Sequence, residues 1–216
     1  MDFWSFFTRL ADTNFTLPVA LLISVWLAAA REWRLATWWL MLFGFGLFLV
    51  TATKVAYVGW GIGIAAVDFH GFSGHAMRAA TIAPPFAYLL AQRCTSSVRA
   101  TAVIAAIVFA IAICVSRLVL GVHSVSEAIS GLLLGFLLAF TFIAISQRHA
   151  GIAFTRQYLI LGALLLLPIL NARPAPTQGW IEHVATHLAG EANRDAILQR
   201  MGKLPPNDTP DTAIQR

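Results

Sequence analysis

Charged side chains are scarce in this chain. Asp, Glu, Lys and Arg make up 12% of its 216 residues, whereas 58% are hydrophobic and the mean hydropathy is +0.73. Soluble globular domains carry about 25% charged residues. The scarcity of charge therefore excludes an ordinary soluble domain and predicts a protein that resides in the lipid bilayer.

Cysteine is also rare, and no disulfide is predicted. Cys94 and Cys114 fall near opposite ends of neighbouring predicted helices. At about 1.5 Å of rise per residue, their separation exceeds the reach of a disulfide bond. We predict that both thiols are free and pack against their neighbours.

The net charge of +5 belongs to the apolar part of the chain. Residues 1–172 hold ten Lys or Arg and five Asp or Glu, whereas residues 173–216 hold five of each. Basic residues between apolar segments are typical of membrane-orientation signals and of contact with anionic lipid head groups. No basic run is interleaved with aromatic residues, so the lipid bilayer, and no nucleic acid, is the predicted partner.

Six stretches are uncharged or nearly so and approach the length of a membrane span, which takes about 17–25 helical residues. The first and the last are close to the lower limit. Together they predict an all-α fold, a polytopic membrane helical bundle of about six transmembrane helices. The predicted spans are Phe15–Ala30, Leu35–Thr53, Ser73–Gln92, Ala100–Ser116, Ala128–Gln147 and Gln157–Ala172.

Two shorter segments flank the predicted transmembrane bundle, which covers residues 15–172. Residues 1–14 place aromatic side chains at helical spacing, which predicts an interfacial helix; a frayed terminus is the alternative. Residues 173–216 combine an amphipathic helix, predicted to rest on the outward face, with a loose, proline-containing tail.

Alternate connections between the predicted spans are basic, and the positive-inside rule assigns such connections to the cytoplasm. The other connections, Val55–Phe72 and Arg117–Glu127, then face outward. We therefore predict an integral protein of a bacterial inner membrane, with these connections facing the periplasm or the exterior. The basic residues are Arg31, Arg34, Arg93, Arg99, Arg148 and Arg156.

The outward connections hold ionisable residues beside apolar spans, where a charge costs about 2.5–3.5 kcal/mol on insertion scales. His123 and Glu127 are four residues apart at the start of the fifth span, so they share a helical face. A carboxylate bound to one imidazole nitrogen leaves the other with a lone pair, which can act as a nucleophile or general base. The alternative is a helix start where the dipole favours a carboxylate.

A second cluster, Ser73-Gly74-His75, opens the third predicted span. Ser73 is expected at the N-cap, so that the first amides of the helix face an anion such as phosphate, and His75 is placed to give a proton to a leaving oxygen. Taken alone, this sequence also fits an ordinary helix start. With Lys54 and Arg117 as cations, however, the two clusters supply the groups that phosphoryl transfer requires.

This pattern resembles the type 2 phosphatidic acid phosphatase superfamily, whose membrane members dephosphorylate lipids. Ser73-Gly74-His75 is similar to the second motif of that family. About forty residues further on, Ser116-Arg117 followed by His123 and Glu127 is similar to the third. The resemblance covers roughly residues 15–147 and is specific in its third motif.

The resemblance implies a metal-independent lipid phosphatase that needs no cofactor. It implies that His123 is the nucleophile that forms a phosphohistidine, that Glu127 orients His123, and that His75 protonates the departing lipid oxygen. The candidate substrates, which the sequence does not rank, are phosphatidic acid, phosphatidylglycerol phosphate, undecaprenyl pyrophosphate and phosphorylated lipid A. The residues implied to hold the phosphate are Lys54, Ser73, Gly74 and Arg117.

The sequence shows three departures from the family pattern. The family has an Arg-Pro pair that begins seven residues after the first-motif lysine, but Gly61 and Ile62 stand at those places after Lys54. Phe72 replaces the proline that begins the second motif, which removes backbone stiffness and no amide donor. Glu127 replaces an aspartate and is one methylene longer.

Arg78 is the predicted replacement for the missing arginine. It lies three residues after His75 and therefore on the same helical face, one turn further along. The alternative is that Arg78 pairs with Asp68 or with a neighbouring carbonyl.

Two other functions stay open at this stage. A lipid phosphotransferase would use the same intermediate with a hydroxyl group in place of water. The altered first motif favours a non-catalytic lipid-binding relative, whereas the two histidines, Arg117 and the carboxylate favour an enzyme.

Overall fold

Most of the residues that the structure describes are helical. The structure is a computed structural model, and it describes residues 3–149, residue 162 and residues 175–204. These residues form no β-strand, so the predicted all-α class is confirmed. In chain order the elements are α1 (Phe3–Phe7), a 3-10 turn (Thr8–Ala11), α2 (Thr13–Ala29), α3 (Trp33–Trp60), a second 3-10 turn (Ala65–Val67), α4 (Gly74–Leu90), α5 (Ser96–Val119), α6 (Val125–Ser146), α7 (Thr177–Ala189), a third 3-10 turn (Glu191–Asn193) and α8 (Arg194–Arg200).

Four of the described helical segments are long and apolar enough to cross a membrane, which confirms the predicted membrane bundle. They are Phe3–Ala29, α3, α5 and α6, and they correspond to the first, second, fourth and fifth predicted spans. Helix α4 corresponds to the third predicted span but has only 17 residues, most of them buried. The sixth predicted span, Gln157–Ala172, lies outside the described residues.

Helix α4 packs between α5 and α6, and glycine is required where α6 crosses it. A Cβ atom added to Gly131 would lie 2.6 Å from the Ser73 carbonyl oxygen, and one added to Gly135 would lie 2.5 Å from that of Met77. Because these separations are shorter than any normal contact, the Gly-x-x-x-Gly spacing is what lets the two backbones touch. The Ser73 amide donates to the Glu127 carbonyl at 3.0 Å, so the starts of α4 and α6 adjoin.

Trp39 joins three helices in the apolar core. Its ring is fully buried and meets the ring of Phe142 edge to face, with 5.1 Å between ring centroids. Its indole N–H donates to the Ala20 carbonyl at 2.9 Å, so the buried polar atom is satisfied. These contacts fix α2, α3 and α6 relative to one another.

The two cysteines are free, as predicted, but the prediction that both pack is wrong for one of them. Cys114 is buried in α5, in a cluster with Ala76 and Ala128. Cys94 is exposed because it lies in the connection between α4 and α5, outside both helices.

Polar contacts tie together the connections at one end of the bundle. His149 Nδ1 lies 2.8 Å from Glu32 Oε2, and the side-chain amide of Gln92 donates to the His149 carbonyl at 3.0 Å. Arg99 in turn donates to the Gln92 carbonyl at 3.2 Å. The connections that follow α2, α4 and α6 therefore share one end, and the ionisable residues of the other connections gather at the opposite end.

Both flanking segments pack against that opposite end. The 3-10 turn after α1 lies against α4 and α5 and buries Thr8 and Ala11. Helix α7 lies along the last turns of α3, where Ala185 packs with Val55 and Val58. The two segments therefore supply walls to the region in which the ionisable residues gather.

Candidate active site

His123 and Glu127 form the pair that their spacing predicts. Ser124 is the N-cap of α6 and forms a capping box with Glu127, whose side chain folds back over the start of the helix. There, Glu127 Oε2 accepts a hydrogen bond from His123 Nδ1 at 2.7 Å. Because Nδ1 faces the carboxylate, His123 Nε2 keeps its lone pair. The same carboxylate thus stabilises the helix start and orients the imidazole.

Glu127 also contacts the connection that precedes α4. Its Oε1 accepts a hydrogen bond from the His70 amide at 2.9 Å, and the His70 ring lies against Tyr57 with 4.1 Å between centroids. Both carboxylate oxygens therefore have donors, although the side chain is only 9% exposed. These hydrogen bonds hold the Glu127 carboxylate in place, and the carboxylate in turn holds the His123 ring.

The electrostatic surroundings of His123 favour a neutral imidazole. Burial lowers the pKa of His123 from its ordinary value of 6.5, and this effect is larger than the opposing effect of the hydrogen bond with Glu127. Lys54 and Arg117 lower the pKa further. A neutral ring oriented through Nδ1 is the form in which an imidazole acts as a nucleophile.

The second cluster lies at the start of α4, but the Ser73 hydroxyl does not cap the helix. Ser73 occupies the predicted N-cap position, yet its side chain accepts no hydrogen bond from the first turn. The hydroxyl is buried and has no hydrogen-bond partner among the described residues. His75, in the first turn, is 21% exposed and faces the same cavity as His123.

That cavity, of about 280 Å³, brings together six of the eight residues that the sequence singles out. A volume of this size is near the lower limit of pockets that hold small molecules. Glu127 lies behind His123, and Ser73 is buried outside the cavity lining. The six residues are Lys54 on α3, Gly74, His75 and Arg78 on α4, Arg117 on α5, and His123 before α6.

Apolar side chains also line this cavity. These side chains, here called the apolar wall, are Leu17 of α2, Leu47 and Val50 of α3, and Trp180 and Ile181 of α7. A second, more polar cavity shares Lys54 and His123 with the first. Its lining includes His70, Glu127, Gln178, Arg200 and Lys203. His123 therefore lines both cavities, together with Lys54, Gln178 and Ile181.

Arg78 and Arg117 are held by the N-terminal segment. Arg78 is 6% exposed and donates from Nε and Nη2 to the Ala11 carbonyl at 3.3 and 3.1 Å. This is the alternative prediction for Arg78, in which it pairs with a neighbouring carbonyl. Arg117 donates from Nη1 to Thr8 Oγ1 at 3.1 Å, and its buried Nε has no partner among the described residues. Both guanidinium groups still border the cavity. Their hydrogen bonds to the N-terminal segment therefore leave them in a position to bind an anion there.

Arg200 is a cation of this region that sequence reasoning missed. From α8 it donates to the Val58 and Gly59 carbonyls at 2.8 and 2.9 Å, which satisfies the end of α3. Its guanidinium lies 3.4–3.6 Å from the place where a Cβ atom of Gly61 would be. Gly61 has a φ of +72° and ends the helix, so the backbone there favours glycine. The C-terminal segment thus brings a positive charge to the place of the altered first motif.

Comparison with known proteins identifies the family of this chain. The model of the PAP2 superfamily matches residues 57–150, a range that contains both histidines and the carboxylate. A protein of Klebsiella pneumoniae described as an uncharacterized 22.5 kDa protein in cps region is 34% identical over 188 residues, which is 85% of this chain and 90% of that protein. No solved structure shows a significant match. The chain belongs to the PAP2 superfamily.

Proposed function

We propose that this membrane protein is a lipid phosphatase that hydrolyses a phosphate monoester or pyrophosphate through a phosphohistidine intermediate. One observation supports the proposal above all others. His123, oriented by Glu127, and His75 border one cavity together with Lys54 and two arginines, at one end of a membrane bundle. This arrangement offers a nucleophile, an acid and fixed positive charge around one small volume.

In the first step, His123 Nε2 attacks the phosphorus atom of the substrate. The bond between phosphorus and the leaving oxygen breaks, and that oxygen takes its electron pair and a proton from His75. Glu127, which already accepts from His123 Nδ1 at 2.7 Å, stabilises the positive charge that develops on the ring. The products of this step are a phosphohistidine and a lipid with a free hydroxyl or phosphate group.

In the second step, a water molecule resolves the intermediate. His75, now neutral, accepts a proton from the water as its oxygen bonds to phosphorus. The phosphorus–nitrogen bond breaks, its electron pair returns to His123 Nε2, and inorganic phosphate leaves. Lys54, Arg78 and Arg117 supply the positive charge that stabilises the phosphoryl oxygens in both steps.

The apolar wall of the cavity supports a lipid as the substrate. Leu47, Val50, Ile181 and other apolar side chains line the same cavity as the ionisable residues, so an acyl or prenyl chain can lie against them while its phosphate meets the cations. We propose that the substrate enters sideways from the bilayer. The basic connections at the opposite end support an inner-membrane location with the site facing the periplasm or the exterior.

The test is release of inorganic phosphate from a panel of lipid phosphates by the purified protein in detergent. His123→Ala is expected to lower release at least about a thousandfold, because it removes the nucleophile. His187→Ala, which changes an exposed histidine of α7, is the matched control and should retain full activity. Release that is equal for the wild type and His123→Ala would contradict the proposal. Release without an added acceptor would separate hydrolysis from phosphotransfer.

A further inference from the structure

The N-terminal segment Thr8–Asp12 contacts three of the residues that border the cavity. Thr8 and Ala11 accept the hydrogen bonds from the two arginines described above. Asp12 Oδ2 lies 3.8 Å from His75 Nε2. This segment precedes the range matched by the family model, so the motifs do not account for these contacts.

Asp12 is fixed in place by the backbone. It is the N-cap of α2, where its Oδ1 accepts a hydrogen bond from the Asn14 amide at 2.9 Å, and the Ala175 amide lies 3.4 Å from the same oxygen. The side chain is 18% exposed. Because Oδ1 is engaged in this way, Oδ2 is the oxygen that faces the His75 ring.

The charge around His75 makes this carboxylate important. The positive groups that face His75 are Lys54 of α3, Arg78 of its own helix and Arg117 of α5, and the titratable ring of His123 also lies near it. All of these disfavour protonation of the His75 ring, which would add another positive charge to the site. Among the described residues, Asp12 is the carboxylate within 4.0 Å of that ring. It is therefore placed to offset part of the repulsion when His75 carries a proton, and its charge also stabilises the positive charges of Arg78 and Arg117.

We propose that Asp12 is a positioning residue for His75, which holds the protonated imidazole with one nitrogen toward the carboxylate and the other toward the leaving oxygen. In the forward step His75 gives the proton from the nitrogen that does not face Asp12, and the leaving oxygen receives it. In the second step the same nitrogen accepts a proton from water. This inference rests on the proposed function, because it assigns His75 the role of acid and then base.

Asp12→Asn tests the proposal without removing the cap of α2. Asparagine caps helices as well as aspartate does, so the variant loses the charge and keeps the backbone hydrogen bond. The measurement is single-turnover release of the leaving group from two substrates. One is the lipid phosphate of the panel that is hydrolysed fastest, whose alcohol or phosphate needs a proton to leave. The other is p-nitrophenyl phosphate, whose leaving group departs as a stable anion.

We expect Asp12→Asn to slow release of the lipid leaving group roughly ten- to hundredfold, since general acid catalysis contributes about that much or more. Release of p-nitrophenolate should change less than about threefold, and Asp12→Glu should recover most of the loss with the lipid. Thr8→Val, which removes only the contact with Arg117, is the matched control. It should raise KM for both substrates alike and leave their ratio of rates unchanged.

The double variant His75→Ala/Asp12→Asn gives a second readout on the lipid alone. If Asp12 acts through His75, the double variant loses no more activity than His75→Ala. Additive losses, or an equal loss of Asp12→Asn on both leaving groups, would overturn the assignment of Asp12 while the phosphatase itself stands. Undiminished activity of His123→Ala would instead remove the proposed function, so the two failures are distinguishable.

Discussion

Glu127 connects helix formation to the chemistry of His123. Its carboxylate accepts from the Ser124 amide in the capping box, from the His70 amide, and from His123 Nδ1. The family has an aspartate at this place, and the additional methylene of glutamate is compatible with a 2.7 Å contact to the ring. The carboxylate therefore positions the imidazole and opposes its positive charge at the same time.

Glu127→Gln is expected to lower kcat about a hundredfold, because the amide keeps the shape of the side chain but no longer stabilises the imidazolium that forms during attack. KM should change little, since Glu127 lies behind His123 and not in the lining that holds the phosphate. The measurement is steady-state phosphate release. Ser130→Ala, one turn further along α6, is the control and should behave as the wild type. Full activity of Glu127→Gln would contradict this role.

The pH dependence of kcat/KM follows from the surroundings of His123. The neutral ring is the nucleophile, so activity rises as pH rises through the pKa of His123. Burial lowers that pKa from 6.5, and the acid limb of the profile should therefore have its midpoint below pH 6.5. A profile measured between about pH 4 and 8 with a midpoint above 6.5 would show that the imidazole is not held in its neutral form.

The sequence predicts contacts between site residues that lie close together in the chain. His123 and Glu127 are four residues apart, so the chain keeps them close, but His123 precedes the N-cap Ser124. Their contact therefore comes from the capping box and not from a shared helical face. Asp12 and His75, by contrast, are brought together only by the packing of α2 and α4. Thr8 and Arg117 are separated by 109 residues. The periodicity of a helix or a strand indicates only which nearby residues share a face. Contacts between distant parts of the chain cannot be inferred from it, so the residues of the N-terminal segment were not predicted.

The crossing of α4 and α6 sets the position of the two histidines relative to each other. Gly131 and Gly135 of α6 touch the backbone of α4 at Ser73 and Met77, on either side of the turn that carries His75. The sequence contains this Gly-x-x-x-Gly spacing within a predicted span, and it is a signal that could have identified the contact. The spacing alone does not show which helix packs against these two glycines.

Gly135→Ala is expected to destabilise the protein by about 1–3 kcal/mol, because a methyl group cannot fit against the Met77 carbonyl without a shift of the helix. Thermal unfolding in detergent, followed by circular dichroism, measures this change, and phosphate release should fall as α4 moves away from α6. Gly44→Ala is the matched control, since a Cβ atom there meets no atom within 4 Å. Equal unfolding temperatures of the two variants would contradict the proposed crossing.

Among the described residues, the basic connections lie at one end of the bundle and the ionisable residues of the cavity lie at the other. The sequence predicts this separation because helices of membrane length alternate the ends at which their connections fall. It did not predict that the C-terminal helices contribute to the cavity, because amphipathicity shows that a helix has an apolar face but not what that face covers. Trp180 and Ile181 of α7 complete the apolar wall, and Arg200 of α8 reaches the end of α3.

Thiol labelling tests the orientation of the bundle in the membrane. Cys94 is exposed in the connection between α4 and α5, at the basic end, and it provides an internal reference. Val125→Cys places a thiol at the start of α6, where the native side chain is 60% exposed. In intact cells a membrane-impermeant maleimide should label the new thiol and spare Cys94. Labelling of Cys94 alone would reverse the proposed orientation.

If phosphate is carried on His123 during turnover, the phosphohistidine can be trapped on that residue. His75→Ala should slow hydrolysis of the intermediate, because the base that activates water is absent. After brief exposure of this variant to p-nitrophenyl phosphate and quenching at alkaline pH, mass spectrometry should find one phosphate on the peptide that contains His123. Phosphate on another residue, or none on the protein while p-nitrophenolate is released, would show that His123 is not the nucleophile.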